Sequence, residues 1–273
     1  MDDTNGPSPI RRSQRVEFEG GNGHKLAGIL DLPASTPRAT SLFTHCFTCN
    51  KDLKAIVRIS RGLAAEGFAV LRYDLTGLGG SKGDFSLTNF STNQQDLLAA
   101  HRFLSKHLEA PHFLVGHSFG AACSLSLTEQ IASVRATVSI AGPSDTSHLA
   151  NLLQRMDPEI AVKGIGSVTI GGIDYVIRKQ MLDDFRSHDL PALLRKTTKP
   201  VMLFHSPEDE TLGYEHALRL FSCLTQRTPD DPEPSPASLI TLPGADHLFA
   251  REAADLNFVA SSIGAWFTRM LDR

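Results

Sequence analysis

The chain has 273 residues, 41% of them hydrophobic and 21% charged, with a formal net charge of −3. That composition suits a globular protein with a full core, and it excludes the basic footprint expected of a nucleic-acid or anionic-membrane binder. No apolar run approaches a membrane span, and Met1 to Pro7 lacks the basic-then-apolar order of a secretory signal, so a cytoplasmic location is the expectation.

The first 14 residues read as a flexible tail and residues 15–273 as one domain. Val16–Glu19 and Lys25–Leu32, joined by Gly20-Gly21-Asn22-Gly23, predict a hairpin. Ala39–Thr44 is the next strand. Residues 52–66 carry Leu53, Ile56, Val57, Leu63 and Ala64 at helical spacing, with Gly67 as a stop. Phe68–Tyr73 is a strand, followed by a glycine-rich loop and a helix from about Thr92 to His107. Strands are expected at 111–115, 134–141, 200–205 and 238–242, and helices at 214–225 and 251–271. Thr228–Pro236 reads as a stiff polar connector. Strands alternating with helices imply a mostly parallel sheet covered on both faces. An insertion at about 146–197 breaks the rhythm and reads as a lid. It holds a helical piece near Leu149–Leu153 and a hairpin at 168–177 turning on Gly171-Gly172.

Gly116-His117-Ser118-Phe119-Gly120 is a G-x-S-x-G between an apolar strand and a small-residue helix, the setting of a nucleophile elbow. The turn is so sharp that only glycines fit two residues before and after the serine. Gly79-Gly80-Ser81-Lys82-Gly83 repeats the pattern, but no strand abuts it and no apolar helix follows. Ser118 is the candidate nucleophile and Ser81 a structural serine.

A serine hydroxyl needs a base, and the base needs an orienting acid. In this architecture the chain order is Ser, acid, His. His247, on the last strand-to-helix loop, is the candidate base. Asp209, after strand 200–205, is the candidate acid, with Glu208 or Glu210 next and Asp145 as the outside alternative. Asp246 reads as a local hydrogen-bonding group, His117 as packing and His205 as a buried, hydrogen-bonded strand end. The N–H groups of Phe119 and Phe47 are the candidate oxyanion donors. Cys46 and Cys49 form a C-x-x-C, open to a redox or metal reading. A metal site would need a second pair, and Cys123 and Cys223 are isolated.

These residues resemble the α/β-hydrolase superfamily over nearly the whole chain. More narrowly, Thr44-His45-Cys46-Phe47-Thr48-Cys49-Asn50-Lys51-Asp52 resembles the H-C-F-T-C-x-K-D segment of bacterial hydrolases often fused to an OsmC-like peroxide-defence domain. Leu71–Gly79, Gly171-Gly172 with Arg178–Asp184, and His205–Glu210 are similar as well. The resemblance implies the α/β-hydrolase fold, with an N-terminal antiparallel hairpin and a small lid. It also implies that Cys46 and Cys49 belong to a family loop shape, and it points to an OsmC-like domain or partner. Many hydrolases have His-Gly where this chain has His45-Cys46.

The expectation is a serine carboxylesterase cleaving short to medium acyl or aryl esters, with no cofactor and no metal. Phe47, Phe119, Leu248, Phe249 and lid residues between Leu149 and Phe185 are the expected pocket walls. A thioesterase with the same triad is the alternative. A non-catalytic small-molecule binder on a hydrolase shell is the rival from another class.

Overall fold

The apolar runs Ala39–Thr44 (β3), Phe68–Tyr73 (β4), Phe113–His117 (β5), Ala136–Ile140 (β6) and Val201–His205 (β9) are buried at every residue. Strands with no exposed side belong in the middle of a parallel sheet flanked by helices. That is their place in the computed structural model of the chain, which describes residues 12–226, 233–249 and 251–272. The main sheet has eight strands, with Arg12–Glu19 (β1), Lys25–Leu32 (β2) and Ala237–Thr241 (β10) completing it. Its order is β1-β2-β4-β3-β5-β6-β9-β10. The β1–β2 and β2–β4 pairs are antiparallel and the others parallel.

Helices Lys54–Ala65 (α1) and Ala253–Leu271 (α9) cover one face, through Ile56, Ile59, Leu63, Val259, Ile263 and Phe267. Helices Phe90–His107 (α2), Phe119–Leu127 (α3) and Glu215–Thr225 (α8) cover the other. Every residue of α3 is buried, which is why its sequence is small and apolar all round.

Strand β1 begins inside the expected 14-residue tail, at Arg12. Arg12, Ser13 and Gln14 pair with Leu32, Asp31 and Leu30. Their polar sequence hid the strand because β1 is an edge strand with little to bury. Residues 1–11, and residues 228–232 of the expected connector, lie outside the described residues.

The insertion between β6 and β9 contains Ser147–Met156 (α4), Glu159–Lys163 (α5), the antiparallel pair Ile165–Ile170 (β7) and Ile173–Arg178 (β8), then Lys179–Ser187 (α6) and Leu190–Arg195 (α7). The hairpin turns on Gly171 and Gly172 as its sequence requires. Their φ values of +60° and +78° are those of a two-residue primed turn.

The chain runs from β3 outward to β4 and returns on the other side of β3 as β5. This reversal opens a crevice at the strand ends, where open α/β sheets carry their sites. One side of the crevice is the loop 45–53, and a buried ionic network pins it. Arg72 Nε donates to Asp31 Oδ2 at 2.8 Å, and Arg72 Nη1 to the Lys51 carbonyl at 2.8 Å and to Asp52 Oδ1 at 2.9 Å. Lys51 Nζ lies 2.8 Å from Asp74 Oδ2. Ser13 Oγ donates to the other Asp31 oxygen. Removing one member of a buried pair strands the other charge. Arg72→Ala is therefore expected to destabilise the fold by about 3–5 kcal/mol, and Arg72→Met combined with Asp31→Leu by much less. Urea unfolding of the two variants measures the difference.

Candidate active site

Ser118 stands between β5 and α3 with φ +52° and ψ −119°. A non-glycine residue with positive φ is strained and persists where its surroundings fix it. Here the Ser118 N–H donates to the Ile140 carbonyl at 2.8 Å, and its carbonyl accepts from Ala121 N at 2.8 Å. The flanking glycines are sterically required. A Cβ on Gly116 would lie 2.3 Å from the Gly120 carbonyl oxygen. One on Gly120 would lie 2.3 Å from that of Thr44.

Three loops bring the predicted residues together. Ser118 Oγ lies 2.9 Å from His247 Nε2, and His247 Nδ1 lies 2.7 Å from Asp209 Oδ2. Asp209 Oδ1 accepts from the N–H groups of Thr211 and Leu212, both at 2.9 Å. Burial works to raise the Asp209 carboxyl, but the His247 contact and these backbone donors outweigh it, so its pKa lies below the usual value.

The other candidates lie elsewhere. Glu208 Oε2 accepts from Gly244 N at 2.9 Å, tying the acid loop to the base loop. Glu210 is exposed. Asp145 Oδ1 accepts from Ser147 Oγ and His148 N at the start of α4. Ser81 Oγ bonds Ala27 N and the Asp74 carbonyl, which fixes its loop.

Phe119 is the first residue of α3, so its N–H is one of the unpaired donors at a helix N-terminus. Phe47 follows β3, and its ring meets that of Phe119 edge-on with centroids 5.7 Å apart. Both line the cavity above Ser118. Neither N–H donates to an acceptor among the described residues. Cys46 and Cys49 are joined by a disulfide across Phe47 and Thr48, a bond the sequence reading did not assign.

The cavity holds about 60 Å³ and is lined also by Pro143, His148, Leu149, Leu152, Thr211 and Leu212. Two expected walls are elsewhere. Phe249 is buried in the core beside α9, on the far face of the sheet. Leu248 lines an outer groove with Glu208 and Arg251. Adjacency to His247 in sequence misled because the chain turns sharply there, with φ +52° at Phe249.

Two buried histidines brace the site, His117, which the sequence reading gave only a packing role, and His45, to which it gave none. His45 Nδ1–H donates to the Cys46 carbonyl at 2.7 Å, and its Nε2 accepts from Leu75 N at 3.0 Å. His117 Nε2–H donates to the His247 carbonyl at 2.8 Å, fastening the base loop to the elbow strand. Burial lowers both pKa values, that of His117 from 6.5 to about 3. The unfolded chain protonates His117 first as pH falls, so its stabilising contribution is full above pH 6.5 and is lost between 6.5 and about 3. By pH 5 this one group should cost about 2 kcal/mol. The Tm of the wild type should therefore drop further between pH 7.5 and 5 than that of His117→Gln.

A family model described as serine aminopeptidase, S33, matches residues 36–164. The esterase domain of a Rhodothermus marinus protein is 36% identical, covering 94% of this chain and 98% of that one, with a TM-score of 0.72. Est1E of Butyrivibrio proteoclasticus, in a structure with ferulic acid bound, is 20% identical with a TM-score of 0.79 over 94% of this chain and 100% of that one. The rat mitochondrial palmitoyl-protein thioesterase ABHD10 is 26% identical over 230 residues, 81% of this chain and 73% of the relative. The sheet order, the strained serine between strand and helix, and the near-complete match to the Rhodothermus domain agree: the chain belongs to the α/β-hydrolase superfamily.

Proposed function

We propose that this chain is a serine carboxylesterase acting on short acyl or aryl esters. The observation that carries the reading is the unbroken relay Ser118–His247–Asp209, at 2.9 and 2.7 Å. In this reading His247 Nε2 takes the Ser118 proton as Oγ attacks the ester carbonyl. Asp209 holds the Nδ1–H tautomer and stabilises the imidazolium. The Phe47 and Phe119 N–H groups receive the oxyanion. His247 then protonates the departing alcohol and draws a proton from water, which cleaves the acyl-enzyme on Ser118.

The size of the cavity supports short acyl groups. Its roughly 60 Å³ is far below the roughly 300–1,000 Å³ of sites that enclose drug-sized ligands. The rat relative, named for palmitoyl-thioester hydrolysis, motivates a thioesterase as the second reading. An OsmC-like domain or partner is proposed on the resemblance of the His45–Asp52 segment alone.

Hydrolysis of p-nitrophenyl acetate, butyrate and octanoate is expected to fall with chain length. Ser118→Ala should lower kcat by about 10⁶-fold, and Asp209→Asn by about 10⁴-fold. A fluorophosphonate should label Ser118 in the wild type, and an unlabelled wild type would leave the non-catalytic binder. Faster turnover of palmitoyl than of butyryl thioesters would favour the second reading.

A further inference from the structure

The Cys46–Cys49 disulfide is unexplained by the triad. It closes a loop of sequence separation 3. Disulfides stabilise a fold chiefly by restricting the unfolded chain, and that effect shrinks with loop length. A bridge this short does little as a staple for the whole fold. Its effect is on the two residues it encloses, Phe47 and Thr48.

Those two residues are where the site is most exacting. Phe47 is the oxyanion donor in the reading above, on which this inference rests. Thr48 has φ +60°, a region that β-branched residues seldom occupy and keep only when the surroundings hold them. Besides the disulfide, the turn is held by Cys49 N donating to the Cys46 carbonyl at 3.2 Å and by Tyr175 Oη of β8 donating to the Thr48 carbonyl at 3.2 Å. The Phe47 ring packs on Phe85, Phe119 and Phe185, so the loop also seats the insertion.

We propose that Cys46 and Cys49 form a thiol–disulfide exchange site that sets the activity of the enzyme, the disulfide clamping the Phe47 N–H in its oxyanion position and a dithiol reductant releasing it. The two sulfurs differ in access. Cys46 is buried and Cys49 half-buried. A thiolate of the reductant attacks the Cys49 sulfur, forming a mixed disulfide and breaking the bond to Cys46, which leaves as thiolate and takes up a proton. The second thiol of the reductant then attacks its own sulfur in the mixed disulfide. Cys49 is released as a thiol, and the reductant leaves as a cyclic disulfide. Two electrons pass from reductant to protein. Cys46 and Cys49 are positioning residues, acting on the reaction through Phe47.

The test compares the oxidised and dithiothreitol-reduced 273-residue chain on p-nitrophenyl butyrate. Denatured samples should contain two thiols before reduction and four after, since Cys123 and Cys223 are not disulfide-bonded. Reduction is expected to lower kcat by about 10- to 100-fold, less than the about 10²–10³-fold loss of one oxyanion donor outright. KM should change by less than about two-fold, because ester binding does not need the oxyanion contact. Re-oxidation should restore kcat. The double variant Cys46→Ser with Cys49→Ser should match the reduced wild type and ignore the reductant, with circular dichroism and Tm reporting that it is folded. Unchanged kcat in protein with four counted thiols overturns the proposal, as does a pair that never yields or re-forms the bond. In either case fluorophosphonate labelling of the oxidised wild type leaves the esterase reading intact. An oxidised wild type that neither labels nor hydrolyses esters overturns both.

Discussion

The site depends on one close approach, that of the elbow to the end of β3. Gly120 lies so near the Thr44 and His45 carbonyls that a Cβ would sit 2.3 and 2.4 Å from their oxygens. The contact follows from sheet order. β3 and β5 are neighbours in register, with Thr44 opposite Gly116, and the chain reverses direction across the sheet between them. Whatever fixes the end of β3 therefore fixes the loop 45–53, the candidate oxyanion loop, relative to the serine. The buried Arg72–Asp31 pair and the Lys51–Asp74 pair do so from beneath. An oxyanion hole works by having its donors in place before charge develops. A stiff, partly ionic foundation under the loop serves that need better than an apolar one, which would permit sliding.

The same economy of motion governs the triad. Its three residues come from loops after β5, β9 and β10, and side-chain contacts alone would leave those loops free to drift. Hydrogen bonds between side chains and the loop backbones tie them instead. His117 reaches the His247 carbonyl, Glu208 the Gly244 N–H, and His205 Nε2–H the Leu212 carbonyl. His45, His117 and His205 all have pKa values lowered by burial. They act as neutral hydrogen-bonding struts, while His247, with 11% of its side chain exposed, faces the cavity. The strut role has an energetic cost, since His117 Nδ1 is buried without a hydrogen-bond partner among the described residues.

Much of this was legible from spacing. The buried parallel strands announce themselves as apolar runs, and Gly116 and Gly120 mark a turn whose geometry tolerates nothing larger. Gly171-Gly172 likewise fixed the hairpin. What escaped was set by partners distant in sequence. Arg12–Gln14 became strand because β2 offered an open edge, not through any apolar pattern. Helices α5, α6 and α7 are too short for periodicity to stand out, although Met181, Leu182 and Phe185 are buried together. The choice of Asp209 over its neighbours rested on position in the loop, and the geometry separates them. Only Asp209 has its carboxylate against His247, whereas Glu208 turns outward to Gly244. Phe249 was misjudged because a single residue of positive φ sends it through to the opposite core.

The candidate catalytic residues and several of the cavity walls lie on different parts of the chain. Ser118, Asp209, His247 and the loop 45–53 are held at the ends of sheet strands, whose order leaves little freedom. The cavity walls Leu149 and Leu152 belong to α4, in the insertion between β6 and β9. A change of insertion can enlarge or close the cavity without moving Ser118, because the insertion meets the rest of the fold through side-chain packing and through hydrogen bonds such as Tyr175 to Thr48, Asn89 to Gln180 and Ser91 to Asp184, none of which involves Ser118. Relatives named for an esterase and for a palmitoyl-protein thioesterase are therefore compatible with one catalytic frame. Likeness of fold says nothing of acyl length. In this chain the cavity walls leave room for a small group, and the phenylalanines that form them also pack against the oxyanion loop. The cavity wall and the candidate oxyanion donor thus share Phe47, the residue at which the insertion and the sheet meet.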